Sequence, residues 1–153
     1  MILHRFMSEA EYEKLIAGGK LVNTTDHHKE YGNNTTSVGF CFFPEPPDKA
    51  IHWLSGTVNT EVCVTFDIDE SLLTESTATY RDCEKHNIED MSIFDIIFSP
   101  IPVIERKEYC MTEYSLKEAK VLRVTTKYRD YFEKILSGEW DEQGTFTARV
   151  ETD

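Results

Sequence analysis

The run Val62-Cys63-Val64-Thr65-Phe66-Asp67-Ile68 constrains the fold more than any other segment of this chain. Val62, Val64, Phe66 and Ile68 alternate with Cys63, Thr65 and Asp67, so an extended backbone places four apolar side chains on one face. The strand is read as Glu61 to Ile68. A half-buried strand needs partners, and short β-rich runs recur on both sides of it. They are Ile2 to Phe6, Leu21-Val22, Ser37 to Phe43, Ala78 to Arg81, Val103 to Ile104, Tyr109 to Thr112, Ala119 to Val124 and a last edge run, Gly144 to Val150. Pro44, Pro46 and Pro47 stop the third of these runs, and Pro100 and Pro102 break the apolar stretch from Met91 to Phe98, which has helical potential.

Helices interrupt the strands. Ser8-Glu9-Ala10-Glu11 reads as a capping box, the Ser8 hydroxyl and the Glu11 carboxylate both satisfying exposed amides. Tyr12, Leu15 and Ile16 form a stripe at helical spacing, and Gly18-Gly19 ends the helix, which spans Glu9 to Ala17. Pro47 suits the start of a second helix, Asp48 to Leu54. Tyr128 to Leu136 reads as a third, amphipathic helix. Leu72-Leu73 sits in a turn or short helix, Asn23 to Asn34 reads as a polar loop, and Asp82 to Asp90 as a charged connection. An early helix followed by many short strands predicts an α+β fold with a mostly antiparallel sheet, built as one domain over residues 1–153.

Charge narrows the function. The chain has 16 Lys+Arg against 28 Asp+Glu, a formal net charge of −12. General nucleic-acid binding relies on phosphate neutralisation by basic side chains, so it is not expected. An acidic surface suits docking onto a basic protein surface. Cys41, Cys63, Cys83 and Cys110 form no Cys-x-x-Cys pair and no zinc spacing, and are read as free thiols in a reducing compartment. His27-His28 beside Asp26 do not converge readily on one ion, so no metal is expected. No apolar run has the length of a membrane span, and the N-terminal stretch is unlike a signal peptide. A cytoplasmic protein without membrane contact is the expectation.

Three polar positions tied to strands carry the chemical possibilities. Arg5 lies among Leu3, Phe6 and Met7, where a guanidinium either holds an anion or pairs with an acidic neighbour. His4 faces the other way and reads as a packing histidine. Thr35-Thr36-Ser37 is a hydroxyl-rich strand entry, and Gly39 after it marks close approach by a ligand or by backbone. Glu113, flanked by Tyr109-Cys110-Met111 and Tyr114, is either a solvent-facing strand residue or a carboxylate placed to stabilise positive charge at an anomeric carbon. Glu108 is a second, poorer candidate. Tyr80 reads as a core residue beside any cleft.

Taken in order, these positions resemble the ADP-ribosyltransferase superfamily, in its arginine–serine–glutamate class. Leu3-His4-Arg5-Phe6 matches the arginine strand, Thr35-Thr36-Ser37 the serine-threonine-serine strand with Thr35 in place of its first serine, and Ala50-Ile51-His52-Trp53 the following helix. Glu113, about nine residues before Val121-Leu122-Arg123-Val124, matches the catalytic glutamate. The resemblance implies a split β-core clasping NAD, with reaction at the nicotinamide glycosidic bond and transfer to a macromolecular acceptor such as a host protein. In that reading Arg5 holds the phosphates, Thr36 and Ser37 orient the nicotinamide side, Trp53 stacks on the ring, and Glu113 is catalytic. Met111 departs from the pattern, because arginine-modifying members carry Glu or Gln there. A thioether is neither a base nor a strong acceptor, so the acceptor is a side chain other than arginine, a nucleic-acid base or water. The competing expectation is a non-catalytic acidic protein of the same fold, a phage-type inhibitor that covers a basic, nucleic-acid-binding partner. A third is a generic α+β ligand-binding domain.

Overall fold

Among the described residues two hydrophobic clusters organise the fold, one on each side of its first strand. The structure is a computed structural model that describes residues 1–23, 35–36, 39–54, 58–81 and 103–131. Strand β1 (Ile2–Met7) is followed by helix α1 (Glu9–Ile16), β2 (Leu21–Val22), β3 (Thr35–Thr36), β4 (Gly39–Phe42) and helix α2 (Pro47–Leu54). Then come β5 (Val62–Ile68), a 3-10 turn (Glu70–Leu72), β6 (Thr74–Arg81), β7 (Val103–Met111), β8 (Glu113–Tyr114) and β9 (Ala119–Thr125). Among the described residues these build three antiparallel sheets, ordered β1-β5-β9, β2-β8 and β3-β4-β7-β6. The result is a mixed α+β domain with two short helices among the described residues.

The alternation of β5 works as its sequence predicts. Val62, Val64, Phe66 and Ile68 are buried and join Leu3 and Met7 of β1, Phe40 and Phe42 of β4, Met111 and Tyr114 in the first cluster. Burying a side chain of this size contributes roughly 1.5–3 kcal/mol. The opposite face of β1 sends Phe6 into a second cluster with Phe43, Ile51, Trp53, Cys63 and Tyr128. Cys63 is therefore buried too, so β5 is covered on both faces at that point. The two larger sheets meet where His4 and Phe43 exchange backbone hydrogen bonds, His4 N to Phe43 O at 2.9 Å and Phe43 N to His4 O at 2.8 Å.

Several sequence expectations change in detail. Val103–Met111 is one nine-residue strand and not two short ones; its partner β6 is eight residues long, beginning at Thr74 and not at Ala78. Glu105 and Lys107 hide this in the sequence, since they interrupt the apolar pattern while projecting to solvent from a strand edge-paired on both sides. Ser8 caps α1 as predicted, its Oγ accepting from Glu11 N at 3.1 Å. The Glu11 carboxylate does not complete the capping box, because it turns to Arg5 instead. Gly18 takes φ +88° just after the helix, the left-handed conformation that a terminating glycine supplies. Asp82–Asp90, Met91–Phe98, Gly144–Val150 and the third helix beyond Tyr131 lie outside the described residues. No helix among the described residues is long and apolar enough to cross a membrane.

Candidate functional site

Strand β4 is where the chemically suggestive residues converge. Thr35 pairs with Phe40 and Thr36 with Gly39. On its other side β4 pairs with β7, Phe40 opposite Met111 and Cys41 opposite Cys110. Gly39 has φ +118°, and a Cβ there would lie 2.3 Å from Met111 O and 2.9 Å from Thr112 Cα. The close approach that a glycine inside this strand announces is therefore one of backbone on backbone. It presses Gly39 of β4 against the turn that leads directly into Glu113.

Glu113 sits at the start of β8, opposite Val22 of β2. Its side chain is 48% exposed and its Oε1 lies 2.8 Å from Lys20 Nζ. An exposed pair of this kind contributes little and is readily displaced. Thr36 lies on β3, and Ser37 falls outside the described residues.

Arg5 occupies a different environment from the one a phosphate ligand requires. It is 1% exposed. Its Nε donates to Glu11 Oε2 at 2.8 Å, its Nη2 to Glu11 Oε1 at 2.9 Å, and its Nη1 to Cys41 O at 3.1 Å. Tyr114 adds a hydroxyl bond to Glu11 Oε2 at 3.3 Å, and the guanidinium lies 5.1 Å from the Phe40 ring centroid. Burial alone would lower the guanidinium pKa, but the Glu11 charge and hydrogen bonds outweigh it and raise it. Arg5 thus pins α1 and β4 onto β1 through a forked, fully enclosed ion pair. Trp53 is likewise enclosed: it is 4% exposed in the second cluster, with the Arg106 guanidinium 4.6 Å from its ring centroid. A face that an incoming aromatic ring would need is taken by that guanidinium.

A second constellation lies on the face of β4 and β7 opposite to Phe40, Phe42 and Met111. Alternation along β7 puts Arg106, Glu108 and Cys110 on one side. Cys110 Sγ lies 3.4 Å from Cys41 Sγ across the strand pair. Glu108 is buried and accepts a hydrogen bond from the Tyr80 hydroxyl of β6. Burial, then the Cys41 thiol and Glu45, push the Glu108 carboxyl up to about 8, against a smaller opposing pull from Arg5. The Cys110 thiol is raised by its hydrogen bond to Cys41 and by burial. Glu45 Oε1 and Arg106 Nε are buried atoms without a hydrogen-bond partner among the described residues. The sequence ranks Glu108 below Glu113, gives the Glu11 carboxylate to a capping box, reads Cys41 and Cys110 as separate free thiols and does not single out Glu45. The Arg-x-Glu-x-Cys spacing at Arg106, Glu108 and Cys110 was the available signal for a shared face.

Compared with family models, curated proteins and solved structures, the chain matches none.

Proposed function

We propose that this protein is an NAD-dependent ADP-ribosyltransferase whose catalytic carboxylate is Glu113, acting on a macromolecular acceptor. The observation that carries the reading is the packing of Gly39 on Met111 and Thr112. Backbone of β4 and of the turn between β7 and β8, distant in sequence, meets there. Thr36 pairs with Gly39, Arg5 holds Cys41 O on the same strand, and Glu113 follows Thr112 directly.

The roles of the residues are adjusted to this geometry. Arg5 is a positioning residue: enclosed by Glu11, it fixes β4 and acts on the ligand only through that strand. Trp53 supports α2 and carries Arg106. Thr36, on the strand that pairs with Gly39, and Ser37 keep in this reading the nicotinamide-orienting role that the resemblance implies. In the reaction the bond between the ribose anomeric carbon and the nicotinamide nitrogen breaks, and nicotinamide leaves with the bonding electrons. The Glu113 carboxylate accepts a hydrogen bond from the ribose hydroxyl and offsets the positive charge that develops on the sugar. Lys20 swings aside to admit it. The acceptor nucleophile then forms the new bond at the anomeric carbon and loses its proton to solvent. Met111 cannot take that proton, which favours an acceptor that does not need a neighbouring carboxylate.

The test is release of nicotinamide from NAD by wild type and by Glu113→Gln, with and without cell lysate. Glu113-dependent release that rises with lysate supports the transferase. Equal release by the two proteins removes Glu113 from the chemistry. Absence of both release and NAD binding sinks the reading and leaves the acidic surface, docking on a basic protein, as the function to pursue.

A further inference from the structure

We infer that Cys41, Glu108 and Cys110 form a binding site for a thiophilic divalent cation of the zinc type, on the face of the four-stranded sheet that looks toward Tyr80 and Arg106. The site does not depend on the transferase reading.

The fold places the three donors on two neighbouring strands. Cys41 of β4 and Cys110 of β7 are direct cross-strand partners. Glu108 stands two residues along β7 and so shares the face of Cys110. One donor atom from each of the three residues lies within 4.8 Å of the others. The sulfur atoms are 3.4 Å apart; two thiolates on one tetrahedral zinc, each at about 2.3 Å, are separated by roughly 3.8 Å. A shift of a few tenths of an ångström in the side chains therefore converts the pair into a chelate, with no change in strand register.

The surroundings have the features of a site that supports a metal. The Tyr80 hydroxyl donates to Glu108 Oε1, which fixes the carboxylate plane as outer partners of ligating carboxylates do. Arg5 Nη1 holds the carbonyl of Cys41 and so fixes that backbone. Glu108 and Cys110 are buried and Cys41 is partly exposed, which leaves a route of entry on the Cys41 side. Glu45 brings a further buried carboxylate oxygen that has no hydrogen-bond partner among the described residues. Three groups that become anionic on losing a proton thus face one another in a low-dielectric setting. A dication replaces those protons, which pass to solvent on binding: one from each thiol, and one from the carboxyl where it is protonated. The donor set, two sulfurs and one carboxylate oxygen, matches a borderline-soft ion better than calcium or magnesium.

The experiment uses the full chain, reduced and stripped of metal, titrated with Co2+ as a spectroscopic probe and then with Zn2+. The expected result is saturation at one equivalent, with a thiolate-to-cobalt charge-transfer band that Zn2+ abolishes. Cys41→Ser and Cys110→Ser lose the band, Glu108→Gln binds at least about 10-fold more weakly, and Cys63→Ala behaves as wild type. Circular dichroism of each variant separates lost binding from lost folding, and the wild-type titration stands even where a variant does not fold. The proposal is overturned by the absence of a charge-transfer band in the reduced wild type. It is equally overturned by a band that survives Cys110→Ser, or by a Cys41–Cys110 disulfide that forms in place of metal binding under reducing conditions.

Discussion

Replacing Glu11 by glutamine tests the enclosed ion pair at the centre of this fold. Both side chains are 2% exposed. The carboxylate takes two short bonds from the guanidinium and one from the Tyr114 hydroxyl. Glutamine keeps the length and shape but removes the charge and turns a donor toward Arg5. A buried guanidinium without its counter-ion remains, and breaking one side of such a pair costs about 3–5 kcal/mol. With a urea slope of about 2 kcal/mol/M, the midpoint falls by roughly 2 M. That is a large share of the ~5–15 kcal/mol that a domain of this size holds. The double substitution Arg5→Met with Glu11→Leu discriminates the mechanism. It removes both charges together and restores apolar contact with Phe40 and Phe42, while deleting the bonds that the Tyr114 hydroxyl and the Cys41 carbonyl make to this pair. Those two losses, ~1–3 kcal/mol each, set against the ~1–4 kcal/mol gained by an apolar replacement, leave the double variant about 1.5 kcal/mol below wild type at the midpoints of these ranges, and so above Glu11→Gln. Urea melts with a constant slope decide it. A Glu11→Gln protein that loses less than ~1 kcal/mol, or a double variant less stable than the single one, refutes the reasoning.

Three further outcomes follow from the geometry. Gly39→Ala, which forces a side chain to φ +118° with its Cβ against Met111 O, costs about 3 kcal/mol or more in thermal or urea unfolding; an unchanged melt refutes the close approach. Glu113→Gln lowers NAD turnover ~10²–10³-fold with an unchanged melting temperature, because its side chain is half exposed and bonded only loosely to Lys20; a lowered melting temperature makes the residue structural. Burial lowers the pKa of His4, whose Nδ1 lies 2.8 Å from Thr65 Oγ1. The folded state therefore binds fewer protons than the unfolded one, so this contribution is present above the unfolded value of about 6.5 and is lost as pH falls below it. Urea melts between pH 7.5 and 5 should show a smaller loss in His4→Gln than in wild type.

Local pattern made some of this legible in the sequence. The alternation of β5 and the Ser8 cap of α1 are decided by neighbours in the chain, and both stand where the residues place them. The length of β7 was not legible, because a strand paired on both sides in the sheet plane can send Glu105 and Lys107 outward without a continuous apolar signal. Arg5 was legible as a guanidinium in need of an anion, but not which anion. Glu11 lies only six residues away, yet the helix that presents it had already assigned that carboxylate to its own amides. The meeting of Cys41 and Cys110 spans 69 residues and depends on strand order. No spacing rule of the Cys-x-x-Cys kind reports it, since register across a sheet is a tertiary property.

The reciprocal bonds between His4 and Phe43 give the molecule a seam. Parting the β1-β5-β9 sheet from the β3-β4-β7-β6 sheet along it would leave both ladders paired but would break the Arg5–Cys41 bond and split the first hydrophobic cluster. Amide hydrogen exchange at these two positions reads that parting directly. Protection lower at His4 and Phe43 than at Val64 and Cys110 would mark a sub-global opening, with the two sheets behaving as separate exchange units. Cys41, on β4, lies two residues from Phe43, and its carbonyl is held by Arg5 of β1, so such an opening would also release the backbone of one member of the thiol pair.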